Sequence, residues 1–163
     1  GLMMGTRSGD IDPAIVFYMS RQGEIPIEEV ETILNSGSGL KGVAGVNDMR
    51  ETQNLASAGD AGAQLAIDLY CYRIKKYVGA YCAALGRVDA LVFTAGVGEN
   101  SAEIRSKSLA MLGQLGIEID EQLNAQAGRA ARAVQSAASS VKILVIPTDE
   151  ERVIARAVSR VLT

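Results

Sequence analysis

Two short apolar runs, each followed by a turn and a helical pattern, constrain this chain most. Val88 to Thr94 (VDALVFT) and Val141 to Ile146 (VKILVI) have strand length and are bounded by turn residues. Runs of this kind suit strands covered on both faces. The first leads through Gly96-Val97-Gly98 into a helical pattern from Ser101 to Gly113, the second into one from Thr148 to about Leu162. Strands alternating with helices predict an α/β layer architecture with few, buried strands.

The rest of the chain reads as mostly helical. Asp12-Pro13 is a helix start, with the carboxylate as N-cap and proline at the first helical position, opening a face of Ile15, Val16 and Met19 that runs to about Gly23. Pro26 opens a second helix whose Ile27, Val30, Ile33 and Leu34 share one face. Asn35 to Gly45 carries four glycines and predicts a loop with positive-φ positions. The longest element spans about Asp60 to Leu85, with Leu65, Leu69, Tyr70, Tyr77, Val78, Tyr81 and Leu85 at helical spacing and Gly86 ending it. Ile117-Glu118-Ile119 reads as a short strand, Asp120 to Arg132 as a helix, and the Ala/Ser segment from Ala130 to Ser140 as a helix end and surface loop.

Composition removes several function classes. At 163 residues, 48% hydrophobic and 21% charged, the chain fits one ordinary domain and lies outside the disordered class. Its net charge is −3, without a basic block, so nucleic acid finds no electrostatic footprint. There is no histidine, which excludes Ser-His-Asp and Cys-His catalysis and His-ligated zinc within this chain. Cys71 and Cys82 fall in one helical stretch, where helical rise separates them by roughly 16 Å, too far for a disulfide. They read as reduced core residues. No run of about 20 apolar residues suggests a membrane span, and Gly1 to Asp10 lacks a signal-peptide build, so the expectation is a cytoplasmic protein. The absence of an initiator methionine before Gly1 suggests a piece of something longer.

Three places could carry chemistry. In Gly5-Thr6-Arg7-Ser8-Gly9-Asp10-Ile11-Asp12 a guanidinium on a glycine-flanked loop could grip a carboxylate or phosphate bidentately, with Asp10 orienting it or a metal. The plainer reading is a polar loop ending in an N-cap. In Phe93-Thr94-Ala95-Gly96-Val97-Gly98-Glu99-Asn100, glycines after a buried strand let backbone approach an oxygen-rich ligand. The plainer reading is a βα turn with Asn100 as N-cap and Glu103 completing a capping box. In Pro147-Thr148-Asp149-Glu150-Glu151, Thr148 and Glu151 form a capping box, leaving Asp149 and Glu150 available. Both turns follow strand C-termini and could flank one crevice, where an acid could hold magnesium on a nucleotide's phosphates.

These three segments, with the Asn47-Asp48-Met49-Arg50 loop, closely resemble the acetate kinase family, in order and over nearly the whole chain. That family belongs to the acetate and sugar kinase, heat-shock-protein and actin superfamily. The resemblance implies an α/β fold holding most of one actin-like, ribonuclease H-like ATPase domain: a central sheet with flanking helices, its first strands missing. Residues 1–163 would then be a partial C-terminal nucleotide-binding domain. The implied reaction is reversible, magnesium-dependent phosphoryl transfer between ATP and acetate, giving acetyl phosphate and ADP, with propionate or another short acyl chain as alternative substrate. Residue by residue, Arg7 matches the catalytic arginine and Glu150 the magnesium ligand, with Asp149 replacing the usual asparagine. Asp48, Met49 and Arg50 match the loop contacting adenosine, and Gly96, Val97, Gly98, Glu99 and Asn100 match the adenosine turn. Ala95 stands where many members have glycine. The resemblance further implies a homodimer built through this domain, a missing N-terminal domain that carries the family's histidines, and negligible activity for this chain alone. A non-catalytic nucleotide-binding or self-association module is the alternative from another class.

Overall fold

In the computed structural model of the chain, residues 1–128 and 130–162 are described, apart from the side chains of Glu150 and Leu162. They divide into two compact units, Gly1–Ala84 and Leu85–Thr163.

The first unit is helical: α1 (Ala14–Gln22), α2 (Ile27–Ser36), α3 (Gly39–Ala44), α4 (Met49–Ser57) and α5 (Ala61–Leu85, with its last residue in the second unit). Asp12 starts α1 as expected, its Oδ1 accepting from the Ala14 amide at 2.9 Å. None of α1 is buried, however, so its expected apolar face is open: Ile15 is 40% exposed. The glycine-rich stretch is not the loop that composition suggests. It ends α2 and then forms α3, with Gly39 (φ +63) and Gly45 (φ +78) as left-handed punctuation at its two ends. Leu40, 3% exposed, supplies the burial that holds this short helix. In α5 the apolar spacing points to one face and the structure buries another. Ala63, Ala66, Ile67 and Cys71 form the buried stripe, whereas Leu65 and Tyr81 stay exposed. Ala63, Ala66 and Ile67 are fully buried and Cys71 nearly so, which leaves the larger Leu65 and Tyr81 on the open side. Cys71 and Cys82 form no disulfide.

The second unit comprises β1 (Ala90–Phe93), α6 (Ala95–Asn100), α7 (Ala102–Leu109), a short 3-10 turn at Gly113–Leu115, α8 (Glu121–Ala125), β2 (Arg132–Ala133), β3 (Lys142–Val145) and α9 (Glu150–Leu162). The sheet order is β1-β3-β2. β1 runs parallel to β3, pairing Leu91 with Ile143 and Phe93 with Val145, and β2 runs antiparallel to β3. One face carries the core, since Ile143 and Val145 are fully buried while Lys142 is exposed and Leu144 half-buried. The opposite face is more open: Val92 is 49% exposed. The expectation of strands covered on both faces therefore fails for β1, where Ala90 and Val92 are exposed and Leu91 and Phe93 only half-buried. Burial of Ile143 and Val145 contributes about 1.5–3 kcal/mol each.

Two further expectations are corrected here. The helix expected from Asp120 to Arg132 stops at Ala125, and Gln126 is extended. Downstream, Arg132 and Ala133 pair with Val145 and Leu144, and Val134 is fully buried, so the first half of the Ala/Ser segment is sheet and core, while Ala137, Ala138 and Ser140 lie exposed in the surface loop expected there. Ladder hydrogen bonds and burial outweigh the helix propensity of alanine. The strand expected at Ile117-Glu118-Ile119 survives as an isolated antiparallel bridge between Ile119 and Gln135. Among the described residues no helix is long and apolar enough to cross a membrane.

Candidate functional site

In the first unit the Arg7 loop is a fixed backbone with a free head. Ser38, Leu40 and Lys41 donate their amides to Thr6, Met4 and Gly5 carbonyls at 2.9 Å each, and the Ser8 amide reaches Leu34 O at 3.2 Å. Glycines make that approach possible. A Cβ on Gly39 would lie 2.1 Å from Met4 O and 2.8 Å from Arg7 O, and one on Gly5 would lie 2.8 Å from Asn47 O. Gly5 thereby brings the Arg7 loop against the start of the Asp48 loop. Arg7 itself is exposed, and among the described residues its guanidinium has no hydrogen bond or ion pair. Asp10 does not orient it. Asp10 accepts from Tyr77 Oη, and Arg73 Nη2 lies 3.2 Å from its Oδ2.

Asp48 caps α4, its Oδ1 accepting from the Arg50 amide at 2.8 Å, and takes the Arg50 guanidinium through Nε (3.1 Å) and Nη2 (2.9 Å). The Arg50 contacts, led by the side-chain pair, lower its pKa to about 2. Met49, between them, is only 6% exposed and anchors the start of α4 in the core.

In the second unit, parallel pairing puts the C-terminal ends of β1 and β3 side by side, with the Ile146 amide on Phe93 O at 2.9 Å. The two turns seen in the sequence are therefore neighbours. The segment Gly96 to Asn100 is the short helix α6 and not an open glycine turn. It is entered through Ala95 in the left-handed region (φ +59), where glycine carries no penalty. A Cβ on Gly96 would meet nothing within 4 Å, so backbone there is open to approach. Asn100 does not cap α7. Its Nδ2 donates to Gly96 O at 2.8 Å, and Ser101 Oγ accepts from the Ile104 amide instead. The Glu99 carboxylate links the turns: its Oε1 accepts from Thr148 N (2.7 Å) and Thr148 Oγ1 (2.8 Å), which lowers its pKa, the backbone amide contributing most. Thr148 is thus taken up by Glu99, and Asp149 accepts from the Arg152 amide at 3.3 Å in the capping role expected of Thr148. Glu150 opens α9, and its side chain lies outside the described residues. Among the described residues no three acids or cysteines converge as a metal cage.

Sequence reasoning missed Arg105. It is 1% exposed and donates from Nε to Asn124 Oδ1 (2.7 Å), from Nη1 to Gly98 O (2.8 Å) and Glu99 O (3.0 Å), and from Nη2 to Asn124 O (2.8 Å). The signal was available: Ile104, Arg105, Ser108 and Leu109 form the buried stripe of α7. Within it an arginine reads as a surface interruption until its partners are known.

A sequence profile of the acetokinase family matches residues 1–156. Acetate kinase of Syntrophobacter fumaroxidans is 55% identical over 156 residues, covering 96% of this chain and 38% of that protein. Acetate kinase of Streptomyces coelicolor is 52% identical over 155 residues, covering 95% and 38%. Among solved structures, Porphyromonas gingivalis acetate kinase superposes with a TM-score of 0.90 at 41% identity, covering all of this chain and 41% of its own. A propionate kinase from Francisella tularensis superposes with a TM-score of 0.85 at 44% identity, covering 93% and 38%. The chain thus spans about two fifths of the length of these relatives, and its sheet and flanking helices correspond to a portion of their actin-like α/β fold. On the profile match and these identities, the chain belongs to the acetokinase family.

Proposed function

We propose that this chain supplies the nucleotide-side part of an acetate kinase, an enzyme transferring the γ-phosphoryl group of ATP to acetate and back from acetyl phosphate. The observation that carries this reading is Arg7 on an immobilised glycine loop within a family-matched sequence, its guanidinium without a partner among the described residues. Phosphoryl transfer is accelerated mainly by positioning and charge stabilisation. A guanidinium on rigid backbone, with no acid of its own to neutralise it, suits the equatorial oxygens of a transferring phosphoryl group or the acetate carboxylate.

In this reading Asp48 and Arg50, locked to each other, present the edge that contacts adenosine, and Met49 sets the position of their loop from the core. In the second unit Gly96 to Asn100 match the family's adenosine turn, where backbone open at Gly96 allows close approach. Glu150 would hold magnesium, which usually takes one or two carboxylates together with phosphate oxygens and water. Magnesium, when bound, neutralises phosphate charge.

The test is acetyl phosphate formation by a full-length acetate kinase carrying this chain, compared with Arg7→Ala. Loss of about a hundredfold or more is expected for a removed transition-state contact, at unchanged stability because among the described residues the Arg7 side chain has no hydrogen bond or ion pair. Unchanged activity would refute the assignment. The propionate kinase likeness favours a second reading, a short-chain acyl substrate other than acetate. One methylene alters discrimination by only about 1–3 kcal/mol, so relative kcat/KM for acetate and propionate decides it. We further infer a homodimer, supported by exposed Leu65, Tyr72 and Tyr81 on α5. Sedimentation of the full-length protein as a monomer would oppose it.

A further inference from the structure

The strongest unexplained group in the second unit is the buried guanidinium of Arg105. A charge removed from water costs free energy unless its partners compensate, and an apolar residue of similar volume is often as stable or more so. Among the described residues Arg105 meets no carboxylate directly. Four of its donor contacts go to the neutral oxygens of Gly98, Glu99 and Asn124. Asn124 in turn donates to Glu121 Oε2 at 3.3 Å and to Ala102 O at 2.9 Å, so the nearest acid in the network is one residue removed. Burial first, and then Arg132, lower the arginine's pKa.

What Arg105 holds is specific. The C-terminal carbonyls of a helix lack intrahelical partners, and α6 is only 6 residues long. Two of those carbonyls, at Gly98 and Glu99, rest on Arg105 Nη1. On its other side α6 begins at the left-handed Ala95, a conformation that a six-residue helix in water would not keep. The planar fork of arginine spans from these carbonyls to Asn124 on α8, which lysine, with a single nitrogen, cannot do.

We propose that Arg105 is the positioning residue of the nucleotide turn: it clamps the Gly98 and Glu99 carbonyls to Asn124 and so fixes Gly96 to Asn100 for binding the nucleotide. This rests on the nucleotide reading of that turn given above. The measurement uses a full-length acetate kinase carrying this chain, with Arg105→Lys and Arg105→Met. It records ADP affinity by calorimetry, KM for ATP and for acetate separately, and the thermal midpoint as a control for folding. Arg105→Met should weaken ADP binding and raise KM for ATP by about tenfold or more, the effect of losing hydrogen bonds from a charged donor, with Arg105→Lys intermediate. KM for acetate should stay within about twofold, a split that general loosening would not produce. If Arg105→Met fails to fold, Arg105→Lys carries the test. Folded variants with unaltered ADP affinity, or with both KM values raised in parallel, overturn the proposal. An unsubstituted protein that binds no ADP overturns the nucleotide reading itself and this inference with it.

Discussion

Gly39→Ala and Gly45→Ala form a matched pair that isolates how the Arg7 loop is held. Both glycines have left-handed φ, +63 and +78, and both flank α3. A Cβ at Gly45 meets nothing within 4 Å, whereas one at Gly39 meets Met4 O at 2.1 Å and Arg7 O and N at 2.8 and 3.0 Å. Each substitution incurs the left-handed penalty of about 1–2 kcal/mol, offset by about 0.4–1 kcal/mol from the stiffer unfolded chain. Gly45→Ala should therefore cost about 1 kcal/mol. At Gly39 the loop must also move away. The amide bonds of Ser38, Leu40 and Lys41 to Thr6, Met4 and Gly5 are the ones exposed to that movement. At about 1 kcal/mol for each such bond, the extra cost is about 2–3 kcal/mol. The assay is denaturant unfolding of the chain followed by tyrosine emission. All five tyrosines lie between Tyr18 and Tyr81, so the signal reports the first unit alone. A Gly39→Ala variant no less stable than Gly45→Ala would refute the close-packed picture of the loop, and with it the immobilised arginine.

Two further outcomes follow from local geometry. Ala95→Gly should stabilise the second unit by about 0.5–1 kcal/mol, the difference between left-handed strain and glycine's unfolded-state entropy; because that unit has no tyrosine, circular dichroism is the probe, and a lowered midpoint would contradict the observed φ. Asp48 has its pKa lowered from 3.8 to about 2, so its contribution to stability is fully present above the ordinary carboxylate range and is lost as the pH falls through about 2. The midpoint gap between the unsubstituted chain and Asp48→Asn should close over that window, and a gap independent of pH would refute the Arg50 pairing as its cause.

Much of this was legible in the residues because the signals are local. The Asp12 helix start, Pro26 ahead of α2, the strand runs at Val88 to Thr94 and Val141 to Ile146, and the stop at Gly86 each depend on interactions within a few positions. The glycine-spaced loops could be recognised as a family pattern for the same reason: Gly5 and Gly39 are where backbone must approach backbone. The errors fell where a distant partner decides. Spacing alone chose the Leu and Tyr face of α5, but the neighbours accept Ala63, Ala66 and Ile67. Alanine-rich sequence after Ala125 favours helix, but pairing with β3 made it sheet.

The sequence by itself determined α1, α2, α5 and the strands β1 and β3, the positive-φ glycines around α3, the exclusion of histidine chemistry from this chain and the family. Tertiary structure alone decided which of those elements meet. Thr148 turned from a helix cap into the partner of Glu99, 49 residues away. Arg105 became a buried clamp through Asn124, 19 residues away. Capping and turn chemistry act over one turn of chain and are written in adjacent residues. Burial and long-range hydrogen bonding depend on which segments the fold brings into contact, and no window of local sequence contains both partners.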